Sequence, residues 1–273
     1  MTGAEITDAA IRIEDARKIY PGGGGFLSRR REPVHAVAGV TLRVARGETL
    51  AIVGESGSGK STLARMLVGL VEPSGGRFEI GGRDAAALRR EGPRAYGRAI
   101  QYVFQDPIAS LNPRKMVRTT LGGVLERVAG IADAGGRAAR MAELMRAVDM
   151  EPGALDRYPH EFSGGQAQRI AIARALAAGA SVLVLDEPVS ALDVSVQAQV
   201  LLLLEDLKAR FALTYLFISH DLAVVEAVAD RVAVMQAGRI VEMEASRTLF
   251  AAPREAYTRE LFASAPRLEG AFA

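Results

Sequence analysis

Eight residues constrain this chain more than any other stretch: Gly54-Glu55-Ser56-Gly57-Ser58-Gly59-Lys60-Ser61. They match the pattern G-x-x-x-x-G-K-[ST], follow the apolar residues 50–53 and open a stretch with helical periodicity. In a strand–loop–helix of this kind the glycines let the backbone wrap closely. Its N–H groups can then face phosphate oxygens at the start of a helix. Lys60 would bring a point charge to the outer phosphates, and the Ser61 hydroxyl, with Thr62 beside it, would ligate Mg²⁺. A glycine-rich turn that fits the pattern by chance is the plainer alternative, and the flanking strand and helix argue against it. The motif by itself leaves kinases, GTPases and transport ATPases open.

The surrounding pattern is that of an α/β protein. Residues 11–53 alternate as strands do, with Val40, Leu42 and Val44 on one face and Thr41 and Arg43 on the other. Ala45-Arg46-Gly47-Glu48 turns the chain into a strand over residues 49–53. A helix is expected over about 60–70, ended by the turn Pro73-Ser74-Gly75-Gly76. Helices at 121–128, 137–148 and 166–178 then suggest a helical lobe set into the core. The core resumes with a strand at 182–185, a helix at 196–211, a strand at 214–219, a helix at 222–229 and a hairpin around Gln236-Ala237-Gly238. Residues 245–273 read as a tail with helical pieces, and 21–33 as a Gly-rich, mobile loop that includes Arg29, Arg30 and Arg31. Strands separated by helices predict a mostly parallel sheet with chemistry at the strands' carboxyl ends.

One such end carries two acids, Val182-Leu183-Val184-Leu185-Asp186-Glu187. Asp186 at the strand tip can hold Mg²⁺, and Glu187 can polarise an attacking water. Alone, the pair reads better as a solvated acidic turn; downstream of a phosphate loop that reading gives way. A further element, Ser163-Gly164-Gly165-Gln166, opens the helix at 166–178 and forms a second helix N-terminus suited to an anion.

Phe162-Ser163-Gly164-Gly165-Gln166 resembles the L-S-G-G-Q signature of ABC-type ATPases, and the similarity extends over most of the chain. The resemblance implies a P-loop NTPase (RecA-like) α/β core, with an N-terminal antiparallel β subdomain and an inserted α-helical subdomain. On that pattern residues 1–106 and 179–244 would form the β subdomain and core, 107–178 the helical insertion and 245–273 a tail. It implies that Ser163, Gly164, Gly165 and Gln166 close on a nucleotide held by an opposite subunit, so that catalysis needs a head-to-tail dimer with two ATPs. Gln105 would be the glutamine contacting Mg²⁺ and water, Asp193 part of the loop at the dimer interface, His220 the histidine on the terminal phosphate, and Tyr20 the aromatic stacked on adenine. Lys60, Gln105, Glu187 and His220 thus become the expected catalytic set, and Ser61, Gln105 and Asp186 the Mg²⁺ ligands. His35 and His160 lack ligand partners and read as structural.

Val103-Phe104-Gln105-Asp106-Pro107, Tyr158-Pro159-His160-Glu161-Phe162, Ser219-His220-Asp221-Leu222 and Ala256-Tyr257-Thr258-Arg259-Glu260-Leu261 resemble the dipeptide, oligopeptide and nickel importer branch. That branch usually has His-Pro where Glu255-Ala256 stand, and an arginine at Ala167. Membership implies two transmembrane permease subunits, a second ATPase subunit of the same or another kind, and indirectly an extracytoplasmic solute-binding protein. A non-transport ABC ATPase acting on nucleic acid or ribosomes is the alternative class. Composition bears on the choice. The 34 basic and 32 acidic residues leave a net charge of +2 with no long basic block, which speaks against a nucleic-acid partner. The absence of cysteine among the 273 residues excludes disulfides, thiol catalysis and cysteine-held metal. No signal-like start and no apolar run of about 18 residues is found, so the expectation is a soluble, cytoplasmic protein; the importer resemblance implies that it stands peripherally at the cytoplasmic face of the inner membrane.

Overall fold

The computed structural model describes residues 8–22 and 32–264. The Gly-rich stretch with Arg29–Arg31, the first seven residues and the end of the tail lie outside the described residues. Up to Ala85 the chain forms β1 (Ala9–Tyr20), β2 (Val34–Ala45), β3 (Thr49–Val53), α1 (Lys60–Leu67), β4 (Gly75–Ile80) and β5 (Arg83–Asp84). Then follow α2 (Ala85–Glu91), α3 (Pro93–Ala99), β6 (Ile100–Val103), α4 (Val117–Val124), α5 (Ala134–Ala147), α6 (Gly164–Ala177), β7 (Val182–Asp186), α7 (Val194–Phe211) and β8 (Thr214–Ile218). The chain ends with α8 (Leu222–Val228), β9 (Arg231–Gln236), β10 (Arg239–Ala245), α9 (Ser246–Ala251) and α10 (Ala256–Ser264). Two compact units result, one up to Ala85 and from Phe217 onward, the other Ala86–Leu216.

In the first unit β2, β1, β4 and β5 form an antiparallel sheet in that order. The alternation read from β2 is realised: Val40, Leu42 and Val44 are buried, and Thr41 is exposed. β3 runs parallel to β9, pairing Leu50 with Arg231 and Val53 with Val234, and β9 continues into the β10 hairpin. All five residues of β3 are buried, which explains an apolar run in place of alternation. Asp230 accepts the Thr49 N–H at 2.7 Å, and the buried Glu48 takes Arg231 at 2.9 Å, so acids pin both the turn into β3 and the strand beside it.

The second unit is built on β6 and β7, paired in parallel with Ile100 opposite Val182 and Val103 opposite Leu185. α6 packs on β6, and α4 and α5 pack on α6, which contributes Ile170, Ile172 and Leu176 to the interior. Arg174 is half-buried on α6, where desolvation lowers its pKa, and it donates to the Ser110 carbonyl at 2.6 Å. That bond fixes the segment that follows β6. Tyr215 of β8, its phenol pKa pushed up by burial, donates to the Leu204 carbonyl of α7 at 2.8 Å.

Several boundaries differ from the sequence reading. α1 ends at Leu67, before the expected 70, and Gly75 and Gly76 belong to β4 where a turn was expected. α4 begins at Val117 and continues as a π-helical turn, Leu125–Ala129, so the expected helix at 121–128 starts four residues early. α2, α3, β4 and β6 carry too few residues to establish a period on their own.

α10 is held by the buried Glu242 of β10, which accepts the N–H groups of Arg254 at 2.8 Å and Glu255 at 3.2 Å. Burial opposes ionisation of Glu242, but Thr258, the two N–H groups and the charge of Arg254 outweigh it, and its pKa falls below the ordinary 4.5. A carboxyl with a depressed folded-state pKa stabilises the fold above its unfolded value and loses that contribution as pH falls through the folded one. Acidification from 4.5 downward is therefore expected to release α10 before the sheet melts, seen as hydrogen exchange rising in residues 254–264 ahead of β9; Glu242→Gln should exchange fast at neutral pH.

Candidate active site

The phosphate loop leaves β3 at Gly54 and enters α1 at Lys60. Two glycines decide its path. Gly54 has φ +147 and a Cβ there would run into the Met235 carbonyl; Gly59 has φ +108 and a Cβ would strike the Ala36 carbonyl. Both the conformation and the space exclude any other residue. Gly238 N–H donates to the Ser58 carbonyl at 2.9 Å, so the β9–β10 turn clasps the loop from outside. Lys60 is 6% exposed, and its Nζ donates to the carbonyls of Gly54 at 2.7 Å and Glu55 at 2.8 Å. Its ammonium lies folded over the hollow that the loop encloses. Glu55, Ser56 and Gly57 are exposed along the rim, and Ser61 and Thr62 occupy the first turn of α1.

Tyr20 closes β1, 40% exposed, with the Lys18 ammonium 5.0 Å from its ring centroid. Sheet pairing carries it toward the loop in spite of the Gly-rich insertion: Tyr20 pairs with Val34, two residues before the Ala36 that abuts Gly59. His220 is exposed just past β8, where the Ser219 N–H meets the Ile52 carbonyl of β3 at 3.4 Å. Asp221 next to it caps α8, accepting from Ala223 and Val224 at 3.0 and 3.2 Å.

In the second unit, parallel pairing of β6 and β7 delivers their following residues to one edge. The Gln105 amide donates to the Glu187 carboxylate at 2.8 Å and lies 3.5 Å from Ser190 Oγ. Glu187 has φ +49, a left-handed backbone that a β-carbon disfavours. Strain of this kind gathers at functional positions. Ser190 Oγ donates back to the Glu187 carbonyl at 3.1 Å. Asp186, 4% exposed, accepts a short hydrogen bond from the Tyr102 phenol. Tyr102 is opposite Val184 in the ladder, so Asp186, two residues along, projects from the same face.

Ser163 caps α6: its hydroxyl accepts the Gln166 N–H at 3.4 Å and the Gln166 amide oxygen takes the Ser163 N–H at 3.1 Å. Such a capping box is worth about 1 kcal/mol. Ser163, Gly164 and Gln166 are exposed, whereas Gly165 is buried with no room for a Cβ beside Val196. Asp193 caps α7 through the Val196 N–H at 3.0 Å, so the interface-type loop and the signature lie side by side. Ala167, the departure noted above, is fully buried. His35 and His160 are exposed, the latter stacked on Tyr158 with centroids 5.8 Å apart.

Among the described residues no cluster of three His, Cys, Asp or Glu could hold a metal alone. Gln105 and Asp186 offer oxygen ligands, the chemistry that Mg²⁺, which keeps waters and takes phosphate oxygens, accepts.

Loop, capped signature helix and paired acids are those of an ATP-binding cassette, and a family profile described as ABC transporter matches residues 37–190. The chain belongs to the ABC transporter ATP-binding family, with its P-loop α/β fold and its ATP binding and hydrolysis. It is 48% identical over 264 residues to the probable peptide ABC transporter ATP-binding protein y4tS of Sinorhizobium fredii, covering 96% of this chain and 74% of that one. The oligopeptide transport ATP-binding protein AppF of Bacillus subtilis is 45% identical, with 97% and 80% covered. The glutathione import ATP-binding protein GsiA of Escherichia coli is 47% identical over 96% of this chain, which spans only 42% of GsiA. Among solved structures, the dimeric post-hydrolysis cassette MJ0796 bound to ADP and Pi aligns with a TM-score of 0.75 at 27% identity, covering 87% of this chain and 99% of the other. CbiO1 of Clostridium perfringens, part of the cbiONQ transporter complex, gives 0.75 at 28%, with 89% and 91% covered. These are transport proteins, which leaves the nucleic-acid or ribosome alternative without support.

Tyr102 is a residue that sequence reading missed: its partner lies 84 positions away and no motif marks it. A hydrogen bond to a charged group contributes about 1.5–3 kcal/mol. Tyr102→Phe is expected to lower unfolding free energy by about that amount and to reduce kcat more than ATP affinity, as equilibrium denaturation and steady-state kinetics would read.

Proposed function

We propose that this chain is the ATPase subunit of a bacterial importer for peptides or a related small solute. It would stand peripherally at the cytoplasmic face of the inner membrane, driving two transmembrane permease subunits and paired with a second ATPase subunit. An extracytoplasmic binding protein would present the solute. The observation that carries the reading is the exposed, Ser163-capped start of α6, a phosphate-receiving helix terminus additional to the one at Lys60. A single bound nucleotide has no use for both within one chain, so the second is offered to a partner's ATP. The peptide, oligopeptide and glutathione names of its relatives support the solute class. No helix among the described residues is long and apolar enough to cross a membrane, in keeping with a peripheral subunit.

Each residue then has a task. Tyr20 stacks on adenine. The loop Gly54, Glu55, Ser56, Gly57, Ser58 and Gly59 wraps the phosphates, offering them N–H groups other than those of Glu55 and Ser58, which are bonded within the protein, while Lys60 exchanges its two carbonyl partners for the outer phosphate oxygens. Ser61, Gln105 and Asp186 would hold Mg²⁺, which would supply charge neutralisation on the phosphates; Thr62 flanks Ser61. Glu187 orients water for in-line attack and takes its proton, and the Gln105 amide keeps that carboxylate aimed. His220 stabilises charge on the terminal phosphate. Ser163, Gly164, Gly165, Gln166 and Asp193 meet the partner subunit. Residues 107–178 serve as the helical subdomain, 1–106 with 179–244 as β subdomain and core, and 245–273 as a tail. Differential affinity of ATP for the closed dimer is the free energy passed to the permeases.

Glu187→Gln should keep ATP affinity within a fewfold, lose nearly all hydrolysis, and accumulate an ATP-bound dimer on size-exclusion chromatography. Normal turnover, or a monomer at saturating ATP, would overturn the reading.

A further inference from the structure

The Tyr257 phenol of α10 accepts the backbone N–H of Glu55 at 3.2 Å, across 202 positions of sequence. Glu55 is the residue whose carbonyl, on the other side, takes the Lys60 ammonium at 2.8 Å and the Ser58 N–H at 3.2 Å. Both backbone polar groups of one loop residue are therefore spoken for, one by the loop itself and the other by the tail. The phenol is presented from a firm base. Glu242 holds the chain entering α10, Arg259 donates to the Pro253 carbonyl at 3.2 Å, Phe250 and Phe262 stack with centroids 4.8 Å apart, and Thr258 is fully buried. Glu55, by contrast, sits on the exposed rim.

We infer that Tyr257 is a positioning residue for the phosphate loop, and that α10 is part of the nucleotide-binding apparatus. By fixing the Glu55 peptide, the phenol sets where the loop's first turn begins and keeps the Lys60-holding carbonyl in place before nucleotide arrives. Without it the loop must be ordered at the moment of binding, and that ordering cost falls on ATP affinity. Tyr257 touches neither the reacting phosphate nor the water, so the chemical step itself is left alone.

The inference deepens the ATP-binding assignment and rests on it. The test uses the full chain with ATP and a fluorescent ATP analogue. Tyr257→Phe keeps the ring and removes the acceptor; KM for ATP and the analogue's Kd should each rise about 3–10-fold, the worth of one hydrogen bond, with kcat within twofold. The Glu55 amide proton should shift and exchange faster, while amides of α1 beyond the loop stay protected. Glu242→Ala, which frees α10, should reproduce the KM effect, and adding Tyr257→Phe to it should cost little more. Unchanged affinity with an unmoved Glu55 amide overturns the role of Tyr257 and leaves the ATPase assignment standing. A fall in kcat equal to the loss of affinity reduces Tyr257 to a structural residue and also overturns it. Failure of the wild-type chain to bind the analogue would remove both.

Discussion

A backbone that has to pass close to two other segments without a side chain in the way governs this molecule. Gly54 lies against the Met235 carbonyl and Gly59 against that of Ala36, so β2 and β9 act as the two walls of the mould in which the loop sets. Inside, a buried ammonium costs several kcal/mol unless its donors are met. The loop's own carbonyls meet them, at 2.7 and 2.8 Å. On the proposed function a phosphate would claim that cation, and exchange of carbonyl for phosphate oxygen would replace a dipole by a full charge.

The distribution of polar groups elsewhere follows from the same need. β3, β7 and β8 are buried throughout, so their polar chemistry can appear only where the strands stop. Gly54, Asp186 with Glu187, and His220 occur at those stops. At Glu187 the chain turns in a left-handed conformation that a carboxylate side chain tolerates poorly, and the Gln105 and Ser190 contacts offset the strain. Rigidity of the strands behind is what lets such a residue persist.

Short-range features were legible in the sequence. The loop, the acid pair, the Ser163 cap and the alternation of β2 each depend on residues within a few positions of one another, and local chemistry dictates them. Tyr102, Glu242 and Tyr257 were not legible as partners of the site, because each acts through a contact that exists only once distant strands and helices have come together. Tyr257 was noted as one letter of a family motif, and its hydroxyl's destination is a backbone group, which leaves no mark in a sequence. β4 was hidden for a different reason: Gly75 and Gly76 read as a turn, and the missing side chain of Gly76 instead admits the bulged part of β1, where a Cβ would meet the backbone of Asp15 and Ala16.

The first unit is assembled from the two ends of the chain, and this has a temporal consequence. A ribosome finishes the phosphate loop early, yet Met235, Gly238 and Tyr257, which shape and hold it, emerge only after the whole of Ala86–Leu216 has been made. At bacterial elongation rates the interval is roughly 10–40 s. For that time the nascent polypeptide carries a nucleotide motif with no mould around it, while Ala86–Leu216 is already available to fold. A message truncated between His220 and the β9–β10 hairpin would thus yield a product with the loop, the signature and the acid pair but without the walls that shape the loop.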